Sequence, residues 1–226
     1  MLSPAVEDYL KAIYKLQNQS ASDHISTGDI AAAMEVSAAS ATNMVKRLAE
    51  FELIEYESYK GARLTDAGRK VALEVIRHHR LLELYLKEVL DYPWEEVHRE
   101  AEQLEHHISE TFESKIEELL GYPTRDPHGH PIPSREGVVD QHATRPLTEL
   151  DTGTPAVIDH LSDEDPALLR LLEQRDLLPD THLEVVDRKP LEGLLTVTVE
   201  GHEQLIGYRV ALKVFVRRLD DHDGSA

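Results

Sequence analysis

Residues 26–65 read STGDIAAAMEVSAASATNMVKRLAEFELIEYESYKGARLT, and the fold turns on this stretch. Ser26-Thr27-Gly28-Asp29 is a capping-box pattern that opens a helix burying Ile30, Ala31 and Met34. Val36-Ser37 makes a turn, and Ser37 is placed to cap a further helix with Ala41, Met44, Val45, Leu48 and Phe51 inward. Two short helices joined this tightly form a helix-turn-helix. Leu53–Glu57 then alternates as a strand does, Lys60-Gly61 turns, and Ala62–Thr65 returns, adding a small hairpin, the wing. Upstream, Ser3-Pro4 starts a helix with Val6, Leu10 and Ile13 on its apolar stripe, running to about Asn18, so the helix after Ser37 is the third.

A helix that reads DNA carries short polar residues near its start, so that its backbone can approach the major groove and side chains reach base edges. With Met44, Val45 and Leu48 buried, the third helix leaves Ser37, Ala39, Ser40, Thr42, Asn43, Lys46 and Arg47 outside. Asn43 suits bidentate contact with adenine, and Ser40 and Thr42 suit base edges or methyl groups. Lys46, Arg47 and the wing's Lys60 and Arg63 suit phosphates. A merely solvated helix face is the alternative. Helix, short turn, helix and basic-tipped hairpin in this order favour double-stranded DNA.

Downstream, one helix is expected from Asp66 to about Leu90 and a second from Pro93 to about Leu120, apolar enough to pack on each other and on a partner. Five of the 11 prolines fall between Pro123 and Pro146, which marks a linker without helix or central strand. Beyond it, Asp165–Leu178 reads as a helix, while Leu183–Arg188, Leu194–Val199 and Lys213–Arg217 read as strands of a small barrel. The expected domains are therefore residues 1–65, 66–122, a linker at 123–150 and 151–220, in a mainly α protein with small β parts.

The chain has 226 residues and a formal net charge of −19, an unpromising balance for holding phosphates. Its distribution changes the reading. Residues 1–80 carry 10 Lys and Arg against 11 Asp and Glu, whereas residues 81–226 carry 14 against 32. The acid thus lies outside the DNA-reading part, where it is either a solvated surface or, together with most of the 13 histidines, a set of metal donors. Cysteine is absent, which excludes disulfides, thiolate metal sites and cysteine nucleophiles. With no basic-then-apolar leader and no apolar run of about 18 residues, the expectation is a cytoplasmic protein without membrane contact.

On the helix expected from Pro93, His98, Glu102, Glu105 and His106 fall within one arc. His79 and Glu83 form a second such ridge on the preceding helix. Burying so many carboxylates without cations would cost several kcal/mol each, so a buried version of this face calls for metal; an exposed acidic face is the alternative. A sulfur-free, oxygen-rich set with imidazole suits Mn(II) or Fe(II) by ligand type.

At these residues the chain resembles the diphtheria toxin repressor family of metal-dependent transcriptional regulators, especially its manganese-responsive branch. The resemblance runs from about Pro4 to Val216 and includes Val6-Glu7-Asp8-Tyr9-Leu10, His78-His79-Arg80-Leu81-Leu82-Glu83 and Glu102-Gln103-Leu104-Glu105-His106-His107. Asp126-Pro127-His128-Gly129 resembles a Cys-Pro-His-Gly motif of several members, with Asp in place of Cys. It implies a primary metal site of Asp8, Glu102, Glu105 and His106, with His79 at or beside it. It further implies an ancillary site of Glu83, Asp126, His128 and Asp163, and in the iron-responsive branch His98 as an ancillary ligand competing for Glu83. Also implied are a C-terminal barrel of SH3-like (FeoA-like) type, a homodimer on a palindromic operator, and Mn2+, alternatively Fe2+, as the cofactor. The rival from another class is a di-metal carboxylate enzyme in a helical bundle, for which Glu95-x-x-His98 supplies one element and no second copy is found.

Overall fold

The computed structural model describes residues 2–20, 22–140, 142–163 and 165–219. These divide into two compact units. The first holds the chain up to His79 with Leu104–Ser109 and Pro133–Val138; the second holds Arg80–Gln103, Glu110–Ile132 and the residues from Val139 onward.

The first unit opens with α1 (Pro4–Gln19), α2 (Thr27–Ala33) and α3 (Ala38–Glu50), followed by the antiparallel pair β1 (Ile54–Glu57) and β2 (Gly61–Leu64), and then enters α4 (Asp66–Glu88). Ser26 caps α2: its Oγ accepts the Asp29 N–H at 3.0 Å and donates to the Asp29 carboxylate at 2.7 Å. Ser37 caps α3 by accepting the Ser40 N–H at 3.2 Å. Ser3, expected to cap α1, makes no side-chain cap bond; its carbonyl accepts the Val6 and Glu7 N–H groups instead, and Pro4 alone presets the first turn. Leu10, Ile13, Ile30, Ala41, Val45 and Leu48 are fully buried. Phe51, expected inward, is 47% exposed at the C-cap of α3, where the Arg47 guanidinium lies 5.4 Å from its ring centroid.

The wing pairs Ile54 with Leu64 and Glu57 with Gly61. Gly61 has φ +112°, and a Cβ there would stand 2.4 Å from the Ile25 carbonyl oxygen. Only glycine admits that approach, which lets Ile25 and Ala62 exchange backbone hydrogen bonds at 2.8 and 2.9 Å. The wing is thereby tied to the chain entering α2.

The single helix expected from Pro93 to Leu120 is two helices, α5 (Val97–Leu104) and α6 (Glu110–Leu119). The His107 N–H closes a turn onto the Leu104 carbonyl, and Glu110 and Glu113 fall in the first turn of α6, where carboxylates suit a new positive helix end. Glu105 and His106 therefore stand beyond α5 and share no helical face with His98 and Glu102. The first helical element of the third segment is also shorter than expected, α7 being Pro166–Glu173.

The second unit carries an antiparallel sheet in the order β3 (Arg145–Pro146), β8 (Val214–Arg218), β4 (Pro155–Leu161), β5 (His182–Lys189), β6 (Leu194–Val199) and β7 (His202–Gly207). β4 and β7 were not anticipated. β4 is buried at Ala156–Asp159 and so lacks the alternation that marks a strand with one wet face. The proline linker does contribute β3, but only as a two-residue edge strand, where a missing N–H is tolerated. Leu147, Ile158, Leu161, Leu169, Leu172, Val185, Leu195 and Val216 form the core, with the short helix α8 (Tyr208–Ala211) contributing Ala211 and Trp94 joining the same cluster.

Candidate functional site

In the first unit, α1 brings Glu7, Asp8 and Lys11 onto one face, three and four residues apart, where Glu105 and His106 meet them. His106 Nε2 lies 2.8 Å from Asp8 Oδ1 and 3.4 Å from Glu105 Oε1, and its Nδ1 lies 2.6 Å from Glu7 Oε2. Asp8, Glu105 and His106 thus offer three donor atoms within 4.8 Å of one another, with Glu105 buried. A neutral imidazole carries one N–H. If Nδ1–H donates to Glu7, the Nε2 lone pair faces the Asp8 carboxylate, and two acceptors that close need a cation between them. The donor set therefore fits a hard divalent ion, with Glu7 fixing the ring's tautomer.

Glu105 also meets Lys11 and His79. Lys11 Nζ donates to both of its oxygens at 2.8 Å, and His79 Nδ1 lies 2.5 Å from Oε2. Burial raises the Glu105 carboxyl, but His79 and Lys11 outweigh it and hold the group below the usual carboxylate range. His79 stands beside this cluster. Glu7 was not assigned a role from sequence, although its place beside Asp8 was the available signal.

In the second unit a further cluster gathers Glu83, His98, Asp126, His128 and Asp163. His98 Nδ1 is 3.0 Å from Glu83 Oε1 and 3.6 Å from Asp163 Oδ2, while Glu83, Asp126 and His128 offer donors within 4.8 Å, all buried. Both ring nitrogens of His128 are buried, with Nδ1 3.8 Å from Glu83 Oε1. Burial pushes the His128 pKa down, but Glu83, Asp126 and Asp163 prevail and raise it to about 9. His130, close by in sequence, has Nδ1 3.2 Å from Asp126 and 3.7 Å from Asp163. Glu102 belongs to neither three-donor group: its side chain is 52% exposed and its carboxylate lies 3.6 Å from His98 Nε2.

The loop holding Asp126 and His128 is fastened by Arg125, which donates to the carbonyls of Gly129 (2.7 Å) and Asp159 (3.0 Å) and to the Asp159 carboxylate (2.9 Å). Gly129 has φ +92°, and a Cβ there would stand 2.2 Å from the Asp159 carbonyl oxygen. Trp94 stacks on His128 with centroids 5.3 Å apart.

On α3, Ser37, Ala39, Ser40, Asn43, Lys46 and Arg47 are exposed and Thr42 is half-buried. Ser37 is engaged as the cap and donates to Ser40 Oγ at 3.0 Å; Thr42 Oγ1 donates back to the Ala38 carbonyl at 2.7 Å. Asn43 keeps an exposed amide in the middle of that face. On the wing, Lys60 pairs with Glu57 at 2.9 Å and Arg63 with Glu55 at 2.6 Å.

A winged helix-turn-helix whose first helix contributes a carboxylate to a partly buried carboxylate–imidazole cluster is the pattern of a DNA-binding regulator that answers to a metal ion. Residues 1–62 match the family described as "Iron dependent repressor, N-terminal DNA binding domain", residues 65–134 "Iron dependent repressor, metal binding and dimerisation domain", and residues 145–218 the "FeoA domain". The chain is 32% identical over 217 residues to the iron-dependent repressor IdeR of Mycobacterium tuberculosis, spanning 90% of this chain and 92% of that protein. It is 34% identical over 126 residues to the HTH-type transcriptional regulator MntR of Bacillus subtilis, 56% of this chain and 87% of that one. A solved "manganese-dependent transcriptional repressor complex with manganese" is 36% identical, with TM-score 0.87 over 95% of this chain and 100% of the other. The chain belongs to the iron-dependent repressor family of metal-dependent transcriptional repressors. Its relatives are repressors, and nothing among them supports the di-metal enzyme. Among the described residues, no helix is long and apolar enough to cross a membrane.

Proposed function

We propose that this protein is a cytoplasmic repressor that binds a palindromic operator as a homodimer when Mn2+, alternatively Fe2+, is held by Asp8, Glu105 and His106. The observation that supports this reading is the contact of α1 with Glu105 and His106, which joins the DNA-reading domain to the candidate ligands. The domain boundaries proposed are those expected from the sequence, with residues 66–122 as the dimerisation segment and the C-terminal barrel as donor of Asp163. The metal supplies positive charge that draws these donors together. Asp8 and His106 then hold α1 in one position, so that the two reading heads of a dimer match half-sites about one duplex turn apart or a multiple of it. Glu102, His79 and His98 are kept as candidate ligands, and Glu83, Asp126, His128 and Asp163 as the ancillary site. The test is operator affinity titrated with Mn(II), Fe(II), Co(II) and Zn(II) at fixed salt; equal affinity with metal and with chelator would overturn the reading.

Ser37, Ala39, Ser40, Thr42 and Asn43 are assigned to the bases, and Lys46, Arg47, Lys60 and Arg63 to phosphates. Asn43→Ala should cost about 1–3 kcal/mol on the preferred operator and relax preference at one base position. Arg47→Ala should weaken all sequences alike. A site-selection assay with unchanged preference would remove Asn43 from the reading role.

Glu7 should act by orienting His106. Glu7→Gln is expected to weaken Mn(II) binding by about 10–100-fold, the usual cost of losing such a partner, while leaving the fold intact. An unchanged Mn(II) dissociation constant in a direct titration would show that the ring needs no such help.

A further inference from the structure

The turn from Asp126 to His130 closes on the carboxylate of its first residue. Asp126 Oδ1 accepts the backbone N–H groups of His128 at 2.8 Å and His130 at 3.0 Å, and the Asp126 N–H donates to the His130 carbonyl at 3.0 Å. One carboxylate oxygen is thus occupied in holding the turn. The other, Oδ2, is buried 3.2 Å from the buried Nδ1 of His130, yet neither atom makes a hydrogen bond to any group among the described residues. Arg80 Nε stands 3.7 Å from Oδ2, beyond hydrogen-bond reach. Asp163 Oδ2 is a second carboxylate oxygen near the same ring nitrogen, at 3.7 Å.

An imidazolium this close to a carboxylate gains by turning its N–H onto it, because a buried polar atom left unbonded costs about 1–3 kcal/mol. Ligands of one metal ion behave otherwise. They aim their lone pairs at a common point and not at one another, and with bonds of about 2.1 Å they stand about 3.0–3.5 Å apart. The separations of His130 from the two carboxylates are close to those edges. The ring is also braced: His130 lies against His160 with centroids 5.0 Å apart, His160 stacks on Phe215 at 4.5 Å and 8°, and His160 Nδ1 is 2.8 Å from Asp159. Such outer contacts hold the plane of a ligating imidazole.

We infer that His130 is itself a metal ligand: its Nδ1, with Asp126 Oδ2 and Asp163 Oδ2, forms a carboxylate–imidazole–carboxylate set for a divalent first-row ion. This rests on the reading of Asp126, His128 and Asp163 as ancillary donors and adds one ligand to it. The set is hard and free of sulfur, so Mn(II), Fe(II), Co(II) and Zn(II) all suit it by ligand type. Asp126 then serves twice, with one oxygen shaping the turn that carries His130 and the other meeting the ion beside it.

The experiment is Co(II) binding to the full-length protein, wild type, His130→Asn, Asp126→Ala and His128→Ala, followed by equilibrium dialysis and by proton magnetic resonance. Co(II) is the probe because its paramagnetism displaces the signals of the imidazoles that ligate it. His130→Asn should weaken the ion that Asp126→Ala removes by at least about tenfold, and should delete one displaced imidazole signal. His130→Gln is the second variant, in case the first folds poorly, and should behave alike. Unchanged Co(II) affinity in the His130 variants would overturn the inference and leave the ancillary reading standing. So would a weakened affinity with every displaced imidazole signal retained, since His130 would then act from outside the ligand set. Binding untouched by Asp126→Ala and His128→Ala alike would instead overturn the ancillary reading, and this inference with it.

Discussion

His106→Ala is expected to abolish the metal-dependent gain in operator affinity. His106 faces Asp8 with one ring nitrogen, at 2.8 Å, and Glu7 with the other, at 2.6 Å, so its removal takes away two of the side-chain contacts between α1 and this cluster. Switches of this kind carry about 1–3 kcal/mol of coupling, so the loss should be about 5–150-fold in saturating Mn(II). Affinity in chelator should stay at the wild-type level, because the substitution removes a response and leaves the DNA-reading face intact. The measurement is fluorescence anisotropy with labelled operator at fixed ionic strength. By linkage, operator DNA should tighten Mn(II) binding in the wild type by the same factor and have no such effect in the variant. A variant that kept its full response would move the switch to Glu83, Asp126 and His128.

Asp159→Asn should be the most destabilising single change considered. Asp159 is 4% exposed and accepts from Arg125 at 2.9 Å, with His160 at 2.8 Å and His142 at 3.0 Å. Burial raises its carboxyl pKa, but the hydrogen bonds of His160, Arg125 and His142 and the charge of Arg125 outweigh that and hold it well below the usual range. Removing the charge leaves Arg125 uncompensated, a loss of about 3 kcal/mol or a factor of about 100 in the folding equilibrium. Since the folded carboxyl titrates below the unfolded one, its contribution is present above about pH 4 and fades as the pH falls through the folded value. Urea unfolding of wild type and variant should therefore differ most near neutral pH and converge in acid. A gap that persists undiminished in acid would assign the cost to packing. The variant should also weaken any metal binding at the proposed ancillary donors Asp126 and His128, whose loop Arg125 fastens.

Much of this was legible in the amino-acid order because local rules and tertiary structure agree over residues 26–65. The caps at Ser26 and Ser37, the buried Ile30, Val45 and Leu48 and the turn at Gly61 each follow from short-range chemistry. The break between α5 and α6 was not legible. Nothing in Glu105–Ser109 is a strong helix breaker, and the buried contacts of Glu105 with Lys11 and His79 are made with residues distant in sequence. β4 was missed because it is buried on both sides, and Asp159, Arg125 and His142 because partners 17 and 34 residues apart leave no periodic trace. Metal-type residues were readable, but helical spacing alone put Glu102 on one face with Glu105 and His106, which the break after α5 separates. Glu102 lies within helical reach of His98 on α5 and approaches it at 3.6 Å, whereas Glu105 and His106 meet α1.

The wing's paired charges bear on how this acidic protein holds a polyanion. Each free cation that meets a phosphate sets loose condensed counterions, and log affinity falls by about 0.9 per neutralised phosphate for each unit of log salt. Lys60 and Arg63 already face Glu57 and Glu55. On the proposed assignment of these two cations to phosphates, each would exchange one anionic partner for another, and the carboxylate set free would cancel part of the ion release. The wing should thus contribute less to the salt slope than its two cations suggest. The Ile25–Ala62 bridge that holds the wing in place is uncharged, so ionic strength does not erode it.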